Sequence, residues 1–402
     1  MVSTGEIRGY NGLVTKIDTQ NSPIAPEVRN SPSGSSSPDE REAMSDSKRG
    51  TSAPKIYELD PLGDSRWQPF VQQHPNASVF HTTGWLRSLS LTYGYSPVVF
   101  TNTSPIGELK NGLLFCRIQS WITGSRLVSL PFSDHCEPLV SSTDELGSLV
   151  DRLQTSIEQE NWRYLEFRPV QGGFQPKRAK GDFQAAKLYY WHRLDLRPNI
   201  ENIFLGFHKA SVQRRIRHAE KAGLVCERGR SDKLLKDFYS LLTLTRRRHR
   251  LPPQPFAWFQ NLVDCMGDSL EIRVTYQQQV PTDAILTLRF RNTVYYKYGC
   301  SDRKFKKLGA TTLLLWQAIQ DAKAGGAKEF DLGRSEVDNE GLLAFKDHWA
   351  NGRTQIVYWR YPASHSLEMT EEQRLNVAKR LIGWVPYRLL AMAGRLIYRH
   401  IG

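Results

Sequence analysis

Tyr295–Trp349 reads YYKYGCSDRKFKKLGATTLLLWQAIQDAKAGGAKEFDLGRSEVDNEGLLAFKDHW. Aromatic and β-branched residues favour a strand over Thr293–Cys300. A basic turn ends at Gly309 and leads into a predicted helix over Ala310–Ala324. Two glycines end this helix, because glycine tolerates the left-handed cap conformation. Lys328–Leu332 is a second short strand, so the stretch predicts a βαβ crossover.

The basic glycine turn indicates an anion site. The start of a helix directs free backbone N–H groups and the positive end of the helix dipole at one point. A pyrophosphate or a terminal phosphate binds naturally at such a point. A glycine that serves only a tight, solvated turn is the alternative interpretation. The predicted anion-binding residues are Lys306, Lys307, Gly309, Ala310 and Thr311.

Composition limits the class of protein. The chain has 402 residues, a formal net charge of +13 and 40% hydrophobic residues, enough for about two or three domains. The positive charge suits anionic partners such as nucleic acid, phosphorylated sugars, nucleotide cofactors or a lipid surface. The five cysteines are scattered and have no metal-ligand spacing, so we predict no metal site and a reducing compartment. With no apolar leader or spanning segment in view, a cytoplasmic location is expected.

The chain divides into four predicted parts. Residues 1–50 are rich in Ser, Pro and Gly and are predicted to be a disordered tail. Residues 51–197 and 198–365 each predict an α/β (α+β) unit with a mixed, largely antiparallel sheet flanked by helices. Within the first unit, Arg126–Val140 is expected to be extended around a polar loop, PFSDHCE. Residues 366–402 are basic and amphipathic, which suits peripheral contact with an anionic membrane; packing on the domain's own flank is the alternative.

Several charged residues are candidate site residues because of their neighbours in the sequence. The helix HKASVQRRIRHAEKAG carries Lys209, Arg214 and Arg217, which could hold a diphosphate or phosphodiester or be a solvated face. Asp302 follows a strand beside the basic turn and could accept a proton or cap the turn. Lys346, between aromatic residues in FKDHW, either snorkels to solvent or stabilises an oxyanion.

Three segments together carry a family resemblance. They are the helix KASVQRRIRHAEKAGL, the run YGCSD with LG and LLLWQAI, and the run FDLGRS followed by FKDHW. In order and spacing they resemble the FemAB-like transferases of the GNAT acyltransferase superfamily, in particular the BioF2-like (CelD-like) branch. The likeness covers roughly residues 200–360, and VFHTTGWL with PFSDHCEP resembles the family's first domain. It implies two GNAT-like domains and transfer of an acyl or aminoacyl group to an amine.

The resemblance also implies roles for residues. Lys346 matches the family's Phe-Lys dipeptide beside the transfer site, and Lys306 with Gly309 resembles the acyl-CoA signature. Branches without a tRNA-binding arm accompany exopolysaccharide export, which implies an amine acceptor on an anionic sugar or lipid-linked envelope precursor. The predicted function is an N-acyltransferase with acyl-CoA as co-substrate and no tightly bound cofactor.

The remaining assignments follow from that prediction. Asp302 is expected to accept the proton, and Lys346 and Tyr298 to stabilise the oxyanion or protonate the leaving group. The residues expected to hold the acceptor are Lys209, Arg214, Arg217, Asp331, Arg334 and Trp349. The alternatives are a ligase that takes its donor from aminoacyl-tRNA, which is less favoured, and a non-catalytic scaffold docked on a membrane.

Overall fold

The computed structural model describes residues 55–120, 124–160, 162–170, 183–362 and 398–400. The predicted tail, residues 1–50, lies outside them, as do all but three residues of the predicted C-terminal segment 366–402. The described strands are β1 Tyr57–Leu59, β2 Ser96–Thr101, β3 Leu113–Ile118, β4 Arg126–Val128, β5 Tyr164–Phe167, β6 Gln184–Asp195, β7 Val225–Gly229, β8 Leu270–Gln277, β9 Val280–Phe290, β10 Thr293–Ser301, β11 Glu329–Glu336 and β12 Gly352–Tyr361. The described α-helices are α1 Trp67–Gln73, α2 Thr83–Tyr93, α3 Thr143–Gln159, α4 Ile200–Gly206, α5 Arg214–Glu220, α6 Asp232–Arg248, α7 Phe256–Met266, α8 Ala310–Ala324 and α9 Glu340–Asp347.

All described strands belong to one sheet, in the order β1-β2-β3-β4-β5-β12-β6-β11-β10-β9-β8-β7. The two halves of the chain repeat one topology. In the first half β1 to β4 pair antiparallel and β4 pairs parallel with β5; in the second half β7 to β10 pair antiparallel and β10 pairs parallel with β11. The final strands are exchanged, because β12 pairs with β5 and β6 pairs with β11. β6 and β12 also pair with each other, so the two predicted sheets are one continuous sheet.

The predicted fold class is confirmed. The sheet is mixed and largely antiparallel, with helices against it, and α8 connects the parallel strands β10 and β11 as the βαβ prediction required. Of the predicted extended segment Arg126–Val140, the structure forms a strand over Arg126–Val128, and the polar loop predicted within the segment follows it. Leu130 and Phe132 take positive φ values of 56° and 60°, and the chain turns into the loop Pro131–Glu137. Among the described residues, no helix combines the length and the apolarity needed to cross a membrane.

One hydrophobic core joins the two halves. Trp85 on α2 packs edge-on against Trp258 on α7, with ring centroids 5.3 Å apart, and both are fully buried. The described end of the chain belongs to the same packing: Tyr398 donates to the carbonyl of Pro252 at 2.9 Å, and its own carbonyl accepts from Tyr95 at 2.6 Å. The halves are therefore held by shared aromatic packing as well as by exchanged strands.

Gly84 permits this contact between the helices α2 and α7. A Cβ at Gly84 would lie 2.6 Å from the carbonyl oxygen of Cys265, whereas one at Gly147 on α3 would meet nothing within 4 Å. We expect Gly84→Ala to lower the free energy of unfolding by about 1–3 kcal/mol, because the added methyl overpacks a fixed backbone. Gly147→Ala, the matched control, should raise it by up to about 1 kcal/mol. Urea denaturation measures both; equal stabilities would contradict the packing.

The exchanged strand β12 is also held by a buried ion network. Glu166 on β5 is 2% exposed and accepts from Arg360 on β12 at 2.7 Å and from Arg168 at 2.7 Å. Burial alone would raise the pKa of Glu166, but the two guanidinium groups outweigh it and lower the pKa to about 2. The charged form of Glu166 therefore stabilises the folded chain.

This network predicts an acid-sensitive term in stability. Because the folded pKa lies below the unfolded one, the contribution of Glu166 is complete above about pH 5 and is lost as the pH falls toward about 2. We expect Glu166→Gln to remove roughly 3 kcal/mol at pH 7 and much less near pH 3. Urea denaturation of both proteins across this range measures the difference, which a pH-independent result would contradict.

Candidate active site

The candidate site begins where two parallel strands separate. β10 and β11 pair only over Thr293–Tyr295 and Glu329–Asp331, although they continue to Ser301 and Glu336. Each strand carries a bulge at this point. Against β9 the register of β10 shifts at Lys297, and against β6 the register of β11 shifts before Gly333, which has a φ of 73°. Bulges bend strands and interrupt pairing, so an opening forms between β10 and β11.

The loop Pro131–Glu137 of the first half reaches this opening. The Asp134 carboxylate binds the Lys297 ammonium at 3.0 Å and lies 3.8 Å from Nε of Arg334. The Tyr358 hydroxyl donates to the carbonyl of Asp134 at 2.8 Å. Burial would raise the pKa of Asp134, but Lys297, Arg334 and Lys346 together hold it below its usual value. Asp134 is therefore an anion in a cluster of cations.

Lys346 from α9 completes the cluster. Its side chain is 4% exposed, and Nζ donates to the carbonyls of Gly333 at 3.0 Å and Arg334 at 2.7 Å. Burial lowers the pKa of Lys346 to about 8, against the opposing pull of Asp134 and Asp331. Such a lysine is charged at neutral pH and yet close to losing its proton, a condition typical of functional sites. The side chain of Lys346 is therefore buried and does not snorkel to solvent, which was one of the two predicted alternatives.

Next to this cluster, the first half contributes a histidine. His135 is 5% exposed, and its Nε2 lies 3.6 Å from Oδ2 of Asp331, which is 1% exposed. The other oxygen of Asp331 accepts from Nε1 of Trp191 at 2.8 Å and from the backbone of Gly333 at 2.6 Å. His135 and Trp191 line a cavity of about 930 Å³ at the junction of the halves. The sheet thus presents charged groups beside a space large enough for a substrate.

The predicted donor residues lie together at the start of α8, with a carboxylate among them. Lys306 and Lys307 are exposed, Gly309 has a φ of 73°, and Ala310 is buried. Thr311, however, donates its hydroxyl to Asp283, whose pKa is raised by burial. The lysines and the glycine fit the pyrophosphate of an acyl-CoA, but the Asp283 carboxylate competes with a phosphate for this helix start.

The predicted catalytic residues Asp302, Tyr298 and Lys346 occupy three different environments. Asp302 accepts from the backbone N–H of Lys304 at 3.0 Å, the capping role that was the alternative prediction. The hydroxyl of Tyr298 accepts from Gln254 at 3.1 Å and Trp258 at 2.9 Å inside the hydrophobic core. Burial raises the pKa of Tyr298 to about 12. Of the three, only Lys346 lies in the charged cluster described above.

The predicted acceptor residues also divide. Asp331 and Arg334 lie in the charged cluster. Lys209, Arg214 and Arg217 lie on the outer surface of the π-helical turn 209–213 and of α5, and Arg217 stacks over Phe204 at 5.5 Å. Trp349 is 2% exposed and packs edge-on against Phe207 at 4.9 Å, so its placement makes it a core residue.

Sequence reasoning missed Asp134, His135 and Lys297. Their signals were present but weak: a polar loop between apolar flanks, and one lysine within an aromatic strand. None reveals that the loop and the strand meet. In the part of the chain that the structure describes, no group of three or more His, Cys, Asp or Glu side chains could hold a metal ion.

Comparisons with known proteins concern the fold rather than the individual site residues. Residues 206–347 match the family model of the acetyltransferase (GNAT) domain. The crystal structure of FemX is similar over 80% of this chain and 99% of that chain, with 14% identity and a TM-score of 0.60. L-PGS from Bacillus licheniformis is similar over 80% of this chain and 97% of that chain, with 14% identity and a TM-score of 0.52.

A further structure has the same fold. The C-terminal domain of a putative lysylphosphatidylglycerol synthetase from Agrobacterium fabrum is similar over 80% of this chain and 96% of that chain, with 12% identity and a TM-score of 0.52. No curated protein matches the chain. Residues 206–347 are thus similar to a GNAT acetyltransferase domain, and the first half of the chain repeats the strand topology of the second. Over most of its described length the chain has the overall fold of FemX.

The charged cluster makes a prediction about stability. We expect Asp134→Asn to lower the free energy of unfolding by about 3–5 kcal/mol, because it leaves Lys297 buried without its counter-ion. Adding Lys297→Met to that variant should restore much of the loss. The matched control Asp195→Asn breaks the exposed pair with Arg197 and should cost much less. Urea denaturation of the native protein and of these three variants measures the effects. If Lys297→Met restored no stability to Asp134→Asn, the pairing would be contradicted.

Proposed function

We propose that the chain is an N-acyltransferase that moves an acyl group, from acyl-CoA in the first instance, to the amine of an envelope or exopolysaccharide precursor. The observation that carries the proposal is the buried Lys346 at the point where β10 leaves β11. Reactions of this class need a fixed cation at the place where negative charge develops. The donor and the acceptor would meet at this opening, with the cavity beside it open to the acceptor.

The chemistry follows from direct transfer. The amine nitrogen forms a bond to the acyl carbon, and the Lys346 ammonium stabilises the oxyanion that results. The bond from the acyl carbon to the donor's sulfur or oxygen then breaks. The amine's proton passes to a base, and the leaving group takes up a proton. A charged Lys346, whose pKa is about 8, suits this role at neutral pH.

One observation favours a second donor. The Asp283 carboxylate at the start of α8 competes with the anion that an acyl-CoA would place there. An aminoacyl-tRNA carries its acyl group on an oxygen and has no such pyrophosphate at that position. The name of the lysylphosphatidylglycerol synthetases also describes an enzyme that joins a lysyl group to a phospholipid. Aminoacyl transfer is therefore the second candidate function.

A labelled-donor assay tests the proposal. The full chain is incubated with radiolabelled acyl-CoA or with charged tRNA, and with amino-sugar phosphates or lipid-linked amino sugars. We expect labelled amide product, identified by mass spectrometry. Ribonuclease treatment abolishes the product only if tRNA is the donor. Absence of product with every donor would contradict the proposal.

Lys346→Met provides the sharper test. We expect kcat to fall by about 10²–10³-fold, as for the loss of one oxyanion-stabilising group. Lys236→Met, on the exposed face of α6, is the matched control and should retain full activity. Circular dichroism confirms that both variants are folded. Equal activity of folded Lys346→Met and the native protein would remove Lys346 from the mechanism.

A further inference from the structure

We propose that His135 and Asp331 are the proton-accepting pair of this transferase, with His135 taking the proton from the acceptor amine. The inference rests on the proposed function and assigns its missing base. Asp302, the base expected from the sequence, instead caps the turn at Lys304. Lys346 is a cation at neutral pH and cannot accept a proton until it has lost its own.

Asp331 is fixed for this role by its surroundings. Oδ1 accepts from both Trp191 and the backbone of Gly333, which sets the orientation of the carboxylate. Oδ2 is then directed to the imidazole of His135, 3.6 Å away. A buried carboxylate held in this way orients a histidine and stabilises the imidazolium that forms when it takes a proton.

His135 differs from an ordinary core histidine. Within the described residues, both of its ring nitrogens and Oδ2 of Asp331 are buried without a hydrogen-bond partner. His81 is buried to the same degree, yet its ring is bonded to Ser78 and to the carbonyl of Glu137. Unsatisfied buried polar groups are costly and therefore indicate a function. Because Nε2 faces Asp331, we assign the substrate's proton to Nδ1, which a bound amine reaches by displacing the atoms that cover it.

The position of His135 connects the pair to the substrate. Its ring packs against Phe80 at 5.3 Å and Trp191 at 5.1 Å, and it forms part of the cavity wall. Among the described residues, Asp331 does not line the cavity, so a substrate there borders the imidazole ring rather than the carboxylate. Arg193 also lines the cavity, where it stacks on Trp191 and pairs with Glu329 at 3.4 Å.

The proton balance is complete without a further reagent. As the amine nitrogen bonds to the acyl carbon, its proton moves to His135, and Asp331 stabilises the resulting imidazolium. The imidazolium then gives that proton to the sulfur or oxygen of the leaving group. His135 returns to its neutral form, so the base is ready for the next cycle.

The pairing is tested first without any substrate. The full chain is labelled with ¹⁵N-histidine, and the His135 signals are assigned from the His135→Gln spectrum. We expect the pKa of His135 to fall by at least about one pH unit in Asp331→Asn, because the variant keeps the shape but loses the charge. An unchanged His135 pKa would overturn the inference. The other titratable groups near this ring are His81, Glu137, Arg193, Tyr295 and Glu329, and Lys346 acts on its partner Asp331.

Activity is tested with the donor and acceptor that prove active in the transfer assay. We expect His135→Gln to lower kcat/KM at pH 7 by about 10²-fold or more. In the native protein, the pH profile of kcat/KM should have an acidic limb whose midpoint equals the pKa of His135 measured by NMR. This limb should be absent in His135→Gln. His249→Gln, exposed at the end of α6, is the control and should keep that limb. Persistence of the limb in folded His135→Gln would overturn the inference.

The two proposals fail in different ways. An active protein whose His135 and Asp331 titrate independently overturns the pair and leaves the transferase intact. If the pKa of His135 depends on Asp331 but the protein transfers no acyl group from any donor, the proposed transferase function is overturned. The pair then serves other chemistry.

Discussion

The Asp134 carboxylate between Lys297 and Arg334 is the interaction on which the rest of the structure depends. It comes from the first half of the chain and enters the opening between two strands of the second. Without it, the nearly buried Lys297 would lack a counter-ion beside the half-buried Arg334 and the buried Lys346. Because buried charges are tolerated only with partners, the loop and the opening must form together. The site is thus a property of both halves.

The exchanged strands explain how such a site stays in register. β12 inserts beside β5 and β6 inserts beside β11, so each half contains a strand of the other. Neither half can open away without breaking a ladder of backbone hydrogen bonds. Glu166 with Arg360, and Trp85 with Trp258, add side-chain contacts across the same boundary. A rigid frame of this kind holds charged groups at fixed distances, as catalysis by preorganised electrostatics requires.

Local sequence predicted some site residues correctly and placed others in the wrong environment. Lys346 was expected to matter because a lysine between Phe345 and Trp349 is unusual, and it does lie in the cluster. The run Lys306–Thr311 was expected to attract an anion, but the tertiary fold brings Asp283 to the same helix start. Trp349 was expected to hold the acceptor, but it is 2% exposed and packs in the hydrophobic core. Local chemistry identifies candidates, and packing decides their environment.

By itself, the sequence determined the crossover β10–α8–β11, the antiparallel hairpins before it and the bounds of α8 at Ala310–Ala324. These depend on periodicity, turn residues and glycine caps, which act over a few neighbouring positions. Only the tertiary structure decided that β6 and β12 change places, and that His135 meets Asp331 from far along the chain. Contacts of that kind are set by the packing of whole elements, and no local pattern of residues encodes them.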